Sequence, residues 1–75
     1  NEKFLKNLKK AIESPQIVWQ DFDEPSKKLC YYWKHKIDCY VKVVIHTLGN
    51  PWRVVTAYEI NYIKETKYPN LKQLK

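Results

Sequence analysis

The chain has 75 residues and a formal net charge of +6, with fourteen Lys and Arg against eight Asp and Glu, a single glycine and eleven aromatic side chains. Such a length holds one domain at most and buries only about 60% of the surface of the unfolded chain, so aromatic residues hiding roughly 150–250 Å² each must supply much of the core. No apolar run approaches the ~20 residues of a membrane helix and no secretory leader pattern is present, so a cytoplasmic protein with no membrane partner is expected, and the lack of an initiating Met suggests that the natural chain extends upstream.

From Asn1 to Glu13 the apolar positions Phe4, Leu5, Leu8, Ala11 and Ile12 recur at spacings of three and four, with Lys3, Lys6, Asn7, Lys9 and Lys10 opposite them. That period predicts an amphipathic helix, stopped at Ser14-Pro15 because a residue before proline is pushed out of helical geometry. Gln16–Gln20 then reads as a short strand, followed by an acidic loop from Asp21 to Ser26. A second strand is expected over Lys28–His35, a turn near Lys36-Ile37-Asp38, and a third strand over Cys39–His46. The third strand is the strongest signal, a β-branched run that a Gly49-Asn50-Pro51 breaker separates from Trp52–Tyr58. After Ile60 the pattern weakens to one helical turn over Tyr62–Lys67 and an irregular, Lys-rich end, so residues 61–75 are expected to form a basic tail on a single domain spanning residues 1–75.

Short connections make consecutive strands antiparallel neighbours. The predicted fold is therefore α+β, an N-terminal helix packed on a four-stranded antiparallel β-meander. In the third strand Cys39, Val41, Val43 and Ile45 should face the helix, and Tyr40, Lys42, Val44 and His46 the other side. The faces of the fourth strand depend on the turn, because a slip of one residue exchanges them. An odd-length loop would put Val55 and Ala57 beneath the helix and Thr56 and Tyr58 on the open face; a two-residue Gly49-Asn50 turn would reverse this. The odd length is preferred, since Pro51 disrupts tight pairing.

Several chemistries find no support in the sequence. One glycine cannot build a phosphate-cradling glycine-rich loop, and the two Cys and two His lack metal-site spacing, so neither cofactor nor metal is expected. Cys30 and Cys39 read as reduced thiols in or beside the core. A Cys–His nucleophile pair has no local motif behind it.

The remaining constellation is Lys34, His35, Lys42, His46, Arg53, Thr56 and Tyr58 on adjacent strands. Metal-free RNA cleavage needs a base for the 2′-hydroxyl proton, an acid for the leaving oxygen, and cations around the phosphate. His suits proton transfer near neutrality, Lys and Arg suit the charge, Thr56 can orient a phosphate oxygen, and Tyr40 or Tyr58 can stack an unpaired base. A basic sheet interleaved with aromatics also fits simple binding of a phosphate polymer, or a solvated lysine-rich surface with no ligand at all.

Arg53-Val54-Val55-Thr56-Ala57-Tyr58, taken with Ala11–Asp21, Tyr31-Tyr32-Trp33-Lys34 and Tyr40–Val44, resembles the phage- and toxin-associated nuclease domains of the barnase–EndoU–colicin–RelE group. The resemblance runs from the helix to about Lys64. It implies a small ribonuclease, often a toxin module or part of a phage protein, acting on RNA such as tRNA or mRNA and restrained by an antitoxin or immunity protein. It would set the strand-four Thr of the group on Thr56 and the basic residue of its second strand on Lys34. Domains of this group carry a His in or before the first helix, whereas the first His here is His35, so His35 or His46 would have to substitute, the His would lie upstream, or the domain would be inactive.

The expected activity is RNA endonucleolysis without a metal, by attack of the 2′-hydroxyl on the adjacent phosphate. Lys34, His46, Arg53 and Thr56 are the catalytic candidates, and His35, Tyr40, Lys42 and Tyr58 the substrate-binding ones. The alternative is a non-catalytic RNA- or protein-binding module of the same fold within a larger phage or mobile-element protein. A monomer, or a weak dimer through an exposed edge strand, is the expected state.

Overall fold

A computed structural model describes all residues 1–75. Helix α1 spans Glu2–Glu13, followed by β1 (Ile17–Gln20), β2 (Lys28–Lys36), β3 (Cys39–His46), β4 (Arg53–Ile60) and a single 3₁₀ turn, η1 (Lys64–Lys67). The strands form one antiparallel sheet in the order β1-β2-β3-β4, so the predicted α+β meander is the observed fold. No helix is long and apolar enough to cross a membrane.

The Asn1 side chain caps α1 by accepting a bond from Phe4 N at 2.8 Å, which satisfies one of the free amides of the first turn. The buried stripe of α1 differs from the predicted one. Phe4, Asn7, Leu8 and Ala11 face inward, whereas Leu5 and Ile12 stay exposed. Asn7 turns inward because its amide donates to Nδ1 of His35 at 2.9 Å, so a polar residue takes an apolar position at no cost in unmet bonds. α1 rests on β2 and β3, where Ala11 joins Val41, Val43 and Ile45, flanked by Tyr31, Trp33 and Ala57.

Both faces of the sheet are covered. On the side away from α1, Cys30, Tyr32 and Val44 form a second cluster that takes in Ile17, Trp19, Tyr40, Ile60 and Ile63. The C-terminal segment crosses this side, buries Glu65 and Leu71, and ends alongside β1. There Gln20 N donates to Lys72 O at 3.0 Å, Leu74 N to Val18 O at 2.8 Å and Val18 N to Lys75 O at 2.9 Å. The basic stretch of residues 61–75 thus forms a strap across the sheet. The acidic loop is structural too, since buried Asp21 accepts from the amides of Asp23 and Glu24 and closes the turn between β1 and β2.

Two bulges interrupt the ladders, and the one in β4 decides which side chains share a face. In β2, Lys34 pairs with Tyr40 and Lys36 with Cys39, leaving His35 unopposed and turned to α1. In β4, Ile45 pairs with Val54 and Val44 with Thr56, leaving Val55 unopposed. His46 pairs with Arg53, so the connecting loop runs over residues 47–52 and has even length. Even length alone would have turned Thr56 toward α1. The extra residue at Val55 restores the parity, so Ala57 lies opposite Val43 on the helix side while Thr56 and Tyr58 lie opposite Val44 and Lys42 on the other. The expected faces of Thr56, Ala57 and Tyr58 are correct, but the bulge and not an odd loop sets them.

Deleting Val55 should therefore leave both halves of the ladder in register. Nuclear Overhauser contacts between Lys42 and Tyr58 are expected to persist, with a stability change under about 2 kcal/mol; their loss would show that Val55 is not the extra residue of the ladder.

Candidate nucleic-acid interface

Cross-strand pairing sorts the side of the sheet away from α1 into rows. Lys28, His46 and Arg53 form the first row, Cys30, Val44 and Thr56 the second, Tyr32, Lys42 and Tyr58 the third, and Lys34, Tyr40 and Ile60 the fourth. Rows are two residues apart along each strand, so the first and fourth are separated by about 20 Å.

The strap closes the middle of this face through one buried cluster. Glu65 has no solvent exposure and Lys42 only 3%. Lys42 Nζ lies 3.0 Å from Glu65 Oε1, and the Tyr32 hydroxyl donates to the same carboxylate at 2.6–2.7 Å. Burial by itself would push the Glu65 carboxyl up, but the bonds from Tyr32 and Lys42 outweigh it and hold the carboxyl below its ordinary value. Burial likewise works against the Lys42 ammonium, and its anionic neighbourhood, Glu65 included, keeps its pKa raised nonetheless. Tyr32 is raised, first by burial and then by its bond to Glu65. Lys42 Nζ also sits 5.6 Å from the centroid of the Tyr32 ring and 5.8 Å from that of Tyr58, within cation–π range.

This cluster corrects two expectations. Lys42 is not offered to a substrate, because its charge is already spent on Glu65. Tyr40 is half-buried, with its ring edge-on to Tyr32 at 6.4 Å, and is not a free stacking surface. Lys34 is exposed but sits in the fourth row, about 20 Å from the row of His46 and Arg53. His35 lies on the helix side, tied to Asn7, so the two imidazoles are on opposite faces of the sheet.

What the strap leaves bare is the β4 side of the face. Arg53 and Thr56 are exposed, Tyr58 is 43% exposed and His46 is half-buried. His46 and Arg53 are direct cross-strand neighbours, with Thr56 one row further on. Lys28, the third member of the first row, is held by Glu24 at 2.9 Å, whereas Arg53 makes no ion pair. Nδ1 of His46 is buried without a hydrogen-bond partner. Beside Tyr58 a cleft of about 310 Å³ opens between β4 and the strap, lined by Lys42, Tyr58, Glu59, Asn61, Tyr62 and Lys64 among others. Beyond it the strap pairs cations with rings: Lys67 lies 5.1 Å from the Tyr62 centroid and Lys64 lies 5.0 Å from that of Phe22, which stacks on Tyr68. The strip Arg53–Thr56–Tyr58–Tyr62–Lys64 is thus cationic and aromatic, the combination that holds a single-stranded phosphate polymer.

The local pattern predicts a helical turn over Tyr62–Lys67, part of which is η1, but not where it packs, and one signal points to that. Glu65 is the only carboxylate in residues 61–75, and Lys42 the only charge within Cys39–His46. An isolated acid and an isolated base in otherwise unfavourable surroundings are candidates for each other.

Neither thiol is poised for nucleophilic work. Burial pushes Cys30 well up, and the bond from Cys39 Sγ to Glu59 Oε2 at 3.3 Å raises Cys39. Both are free thiols. No group of three or more His, Cys, Asp or Glu side chains is assembled for a metal ion. Comparisons with protein-family models, curated proteins and solved structures give no match, so function rests on the geometry of this strip.

Lys42→Met should cost about 3–5 kcal/mol in urea unfolding by stranding the Glu65 carboxylate, while Lys42→Met with Glu65→Leu should recover most of the loss. The pH dependence follows from the same pair. Glu65 is depressed in the folded state, so its contribution is complete above the ordinary value of 4.5 and disappears as pH falls through the lower folded value; Lys42 is raised, so its contribution is complete below 10.5 and disappears as pH rises through the higher folded value. Glu65→Gln should flatten the acid limb of a stability-against-pH curve; an unchanged acid limb would refute the assignment.

Proposed function

We propose that the chain acts on RNA as a metal-independent endonuclease, with its site on the bare strip of β3 and β4. The observation that carries this reading is the cross-strand pairing of His46 with Arg53, Thr56 one row on, on the β4 side of that face, which the strap leaves uncovered. In the reaction, His46 accepts the proton of a ribose 2′-hydroxyl, the 2′-oxygen bonds to the adjacent phosphorus, and the bond to the 5′-oxygen breaks. The leaving oxygen takes a proton from water on the open side, and the product ends are a 2′,3′-cyclic phosphate and a 5′-hydroxyl. Arg53 and the Thr56 hydroxyl would bond the non-bridging oxygens as charge builds on them, and Tyr58 would stack the neighbouring base. Lys34, Lys42 and His35 take no part in this scheme. An acidic inhibitor, of the antitoxin or immunity kind, would cover the same cationic strip.

A second reading is favoured by one specific observation, the separation of His35 from His46 by the sheet. With a single imidazole on the strip, the same residues suit an RNA-binding module that does not cleave.

Single-stranded RNA oligonucleotides separate the two. An endonuclease should leave cyclic-phosphate ends, spare a 2′-deoxy substrate, and lose activity by roughly 100-fold or more in His46→Gln and in Arg53→Gln, with circular dichroism confirming the fold. Binding without cleavage, insensitive to His46→Gln and weakening with salt at a slope near −0.7 per phosphate contact, would establish the module instead.

A further inference from the structure

Two tyrosines beside the bare strip are left in solvent. Tyr58 on β4 is 43% exposed and Tyr62 at the start of the strap 55%, and both line the cleft of about 310 Å³ between these two elements. That volume falls at the lower end of the roughly 300–1,000 Å³ of small-ligand clefts. Lys42, which Glu65 holds at 3.0 Å, sits 5.8 Å from the Tyr58 ring and fixes the floor. Along β4, Tyr58 lies one row, about 7 Å, past Thr56. A single nucleotide covers that step, so a strand whose phosphate rests on Arg53 and Thr56 brings its next base to the mouth of the cleft.

We propose that this cleft takes up and selects one base of a bound single-stranded RNA, and that the base is adenine. Side chains tell bases apart by a short set of pairings: Lys or Arg with guanine, Asp or Glu with the amino group of cytosine, Asn or Gln with the N6 and N7 edge of adenine. The charged members of the lining are engaged elsewhere. Lys42 is held by Glu65, and Lys64 Nζ lies 5.0 Å from the centroid of Phe22. Glu59 stands opposite Val41 on the helix side and accepts from Cys39 Sγ at 3.3 Å. Asn61 remains, exposed and the one amide side chain of the lining. Unlike the amides of Asn7, Gln16, Gln20 and Gln73, it makes no side-chain hydrogen bond within the chain. Its nitrogen donates to N7 and its oxygen accepts from the N6 amino group, while Tyr58 and Tyr62 offer their rings to the base, and a purine gives them the larger face to stack on. The inference rests on the bare strip being an RNA site, and it holds whether or not His46 cleaves.

Fluorescence anisotropy with short 2′-O-methyl oligonucleotides, which lack the attacking hydroxyl, measures binding apart from cleavage. The strands compared are all uridine, or uridine with one central adenosine, guanosine or cytidine. The adenosine strand should bind at least about fivefold more tightly than the others. Asn61→Ala, at an exposed side chain, should stay folded by circular dichroism and erase that difference, and Asn61→Asp should move the preference to cytidine. Arg53→Gln should weaken all the strands alike and keep the preference for adenosine. In the unmodified chain, the adenosine strand should shift the side-chain amide resonances of Asn61 and the ring resonances of Tyr58 and Tyr62. Equal affinity for all the strands, a preference for another base, or a preference for adenosine kept by folded Asn61→Ala would each overturn the base-selecting cleft. In those cases salt-sensitive binding that Arg53→Gln weakens would leave the strip itself standing as an RNA site, whereas binding of no strand would overturn both.

Discussion

The buried ion pair of Lys42 with Glu65, shared with the Tyr32 hydroxyl, is the constraint on which the layout of this protein depends. Removing a carboxylate and an ammonium from water costs several kcal/mol per ion unless each finds the other in good geometry. Here the carboxylate has three short contacts and no exposure, so its position is set to within the reach of hydrogen bonds. Because Glu65 belongs to a single 3₁₀ turn that would not hold its shape alone, the pair places the turn and not the reverse. The strap then runs on to Leu71 and the β1 edge, giving a chain of this size a second apolar cluster under cover.

The same pair determines what remains for a ligand. With its Lys42–Tyr40 centre covered, the sheet face retains only its β4 margin. Of the five cationic or imidazole positions expected to converge there, three are removed by topology: Lys34 lies three rows from His46, His35 lies on the helix side, and Lys42 is neutralised. Arg53 stands out because none of this affects it. It is exposed, unpaired, and directly opposite His46. Cation–ring pairs on the strap extend the cationic surface past Tyr58, beyond what the three β4 residues alone provide.

Much of the architecture was legible because its signals are local. Apolar spacing marks α1, alternation and β-branching mark β3, and Pro15, Asp38 and Gly49-Asn50-Pro51 mark boundaries that the strands respect. Asp38 takes a left-handed backbone, φ 56°, at the β2–β3 turn, a conformation Asp tolerates better than most residues. The bulges were not legible, since nothing in the residue types of His35 or Val55 demands an extra residue in a strand. The bulge at Val55 nonetheless returns Thr56 to the candidate site, whereas His35 shares the helix side with Tyr31 and Trp33 by plain alternation along β2. Asn7 and Glu65 were misplaced for a related reason. Each is a polar residue whose buried position is stabilised by a partner far away in sequence, and hydrophobic periodicity carries no record of such pairs.

The strand that keeps the bare strip is also the strand with the bare edge, and this follows from the connectivity. In a meander of four strands the chain end returns from β4 across the sheet, and a strap of fifteen residues that crosses to β1 covers the middle and seals the far edge but cannot also cover its own point of departure. β4 is therefore left with an uncovered face and an unpaired edge together. Arg53, Thr56 and Tyr58 occupy the face while the main chain of the same residues forms the edge. Whatever pairs with that edge comes to lie within one strand spacing, about 4.8 Å, of the side chains that would hold a phosphate. Edge pairing and ligand binding on this protein are thus neighbours by construction, and any strand that docks there becomes a wall of the site.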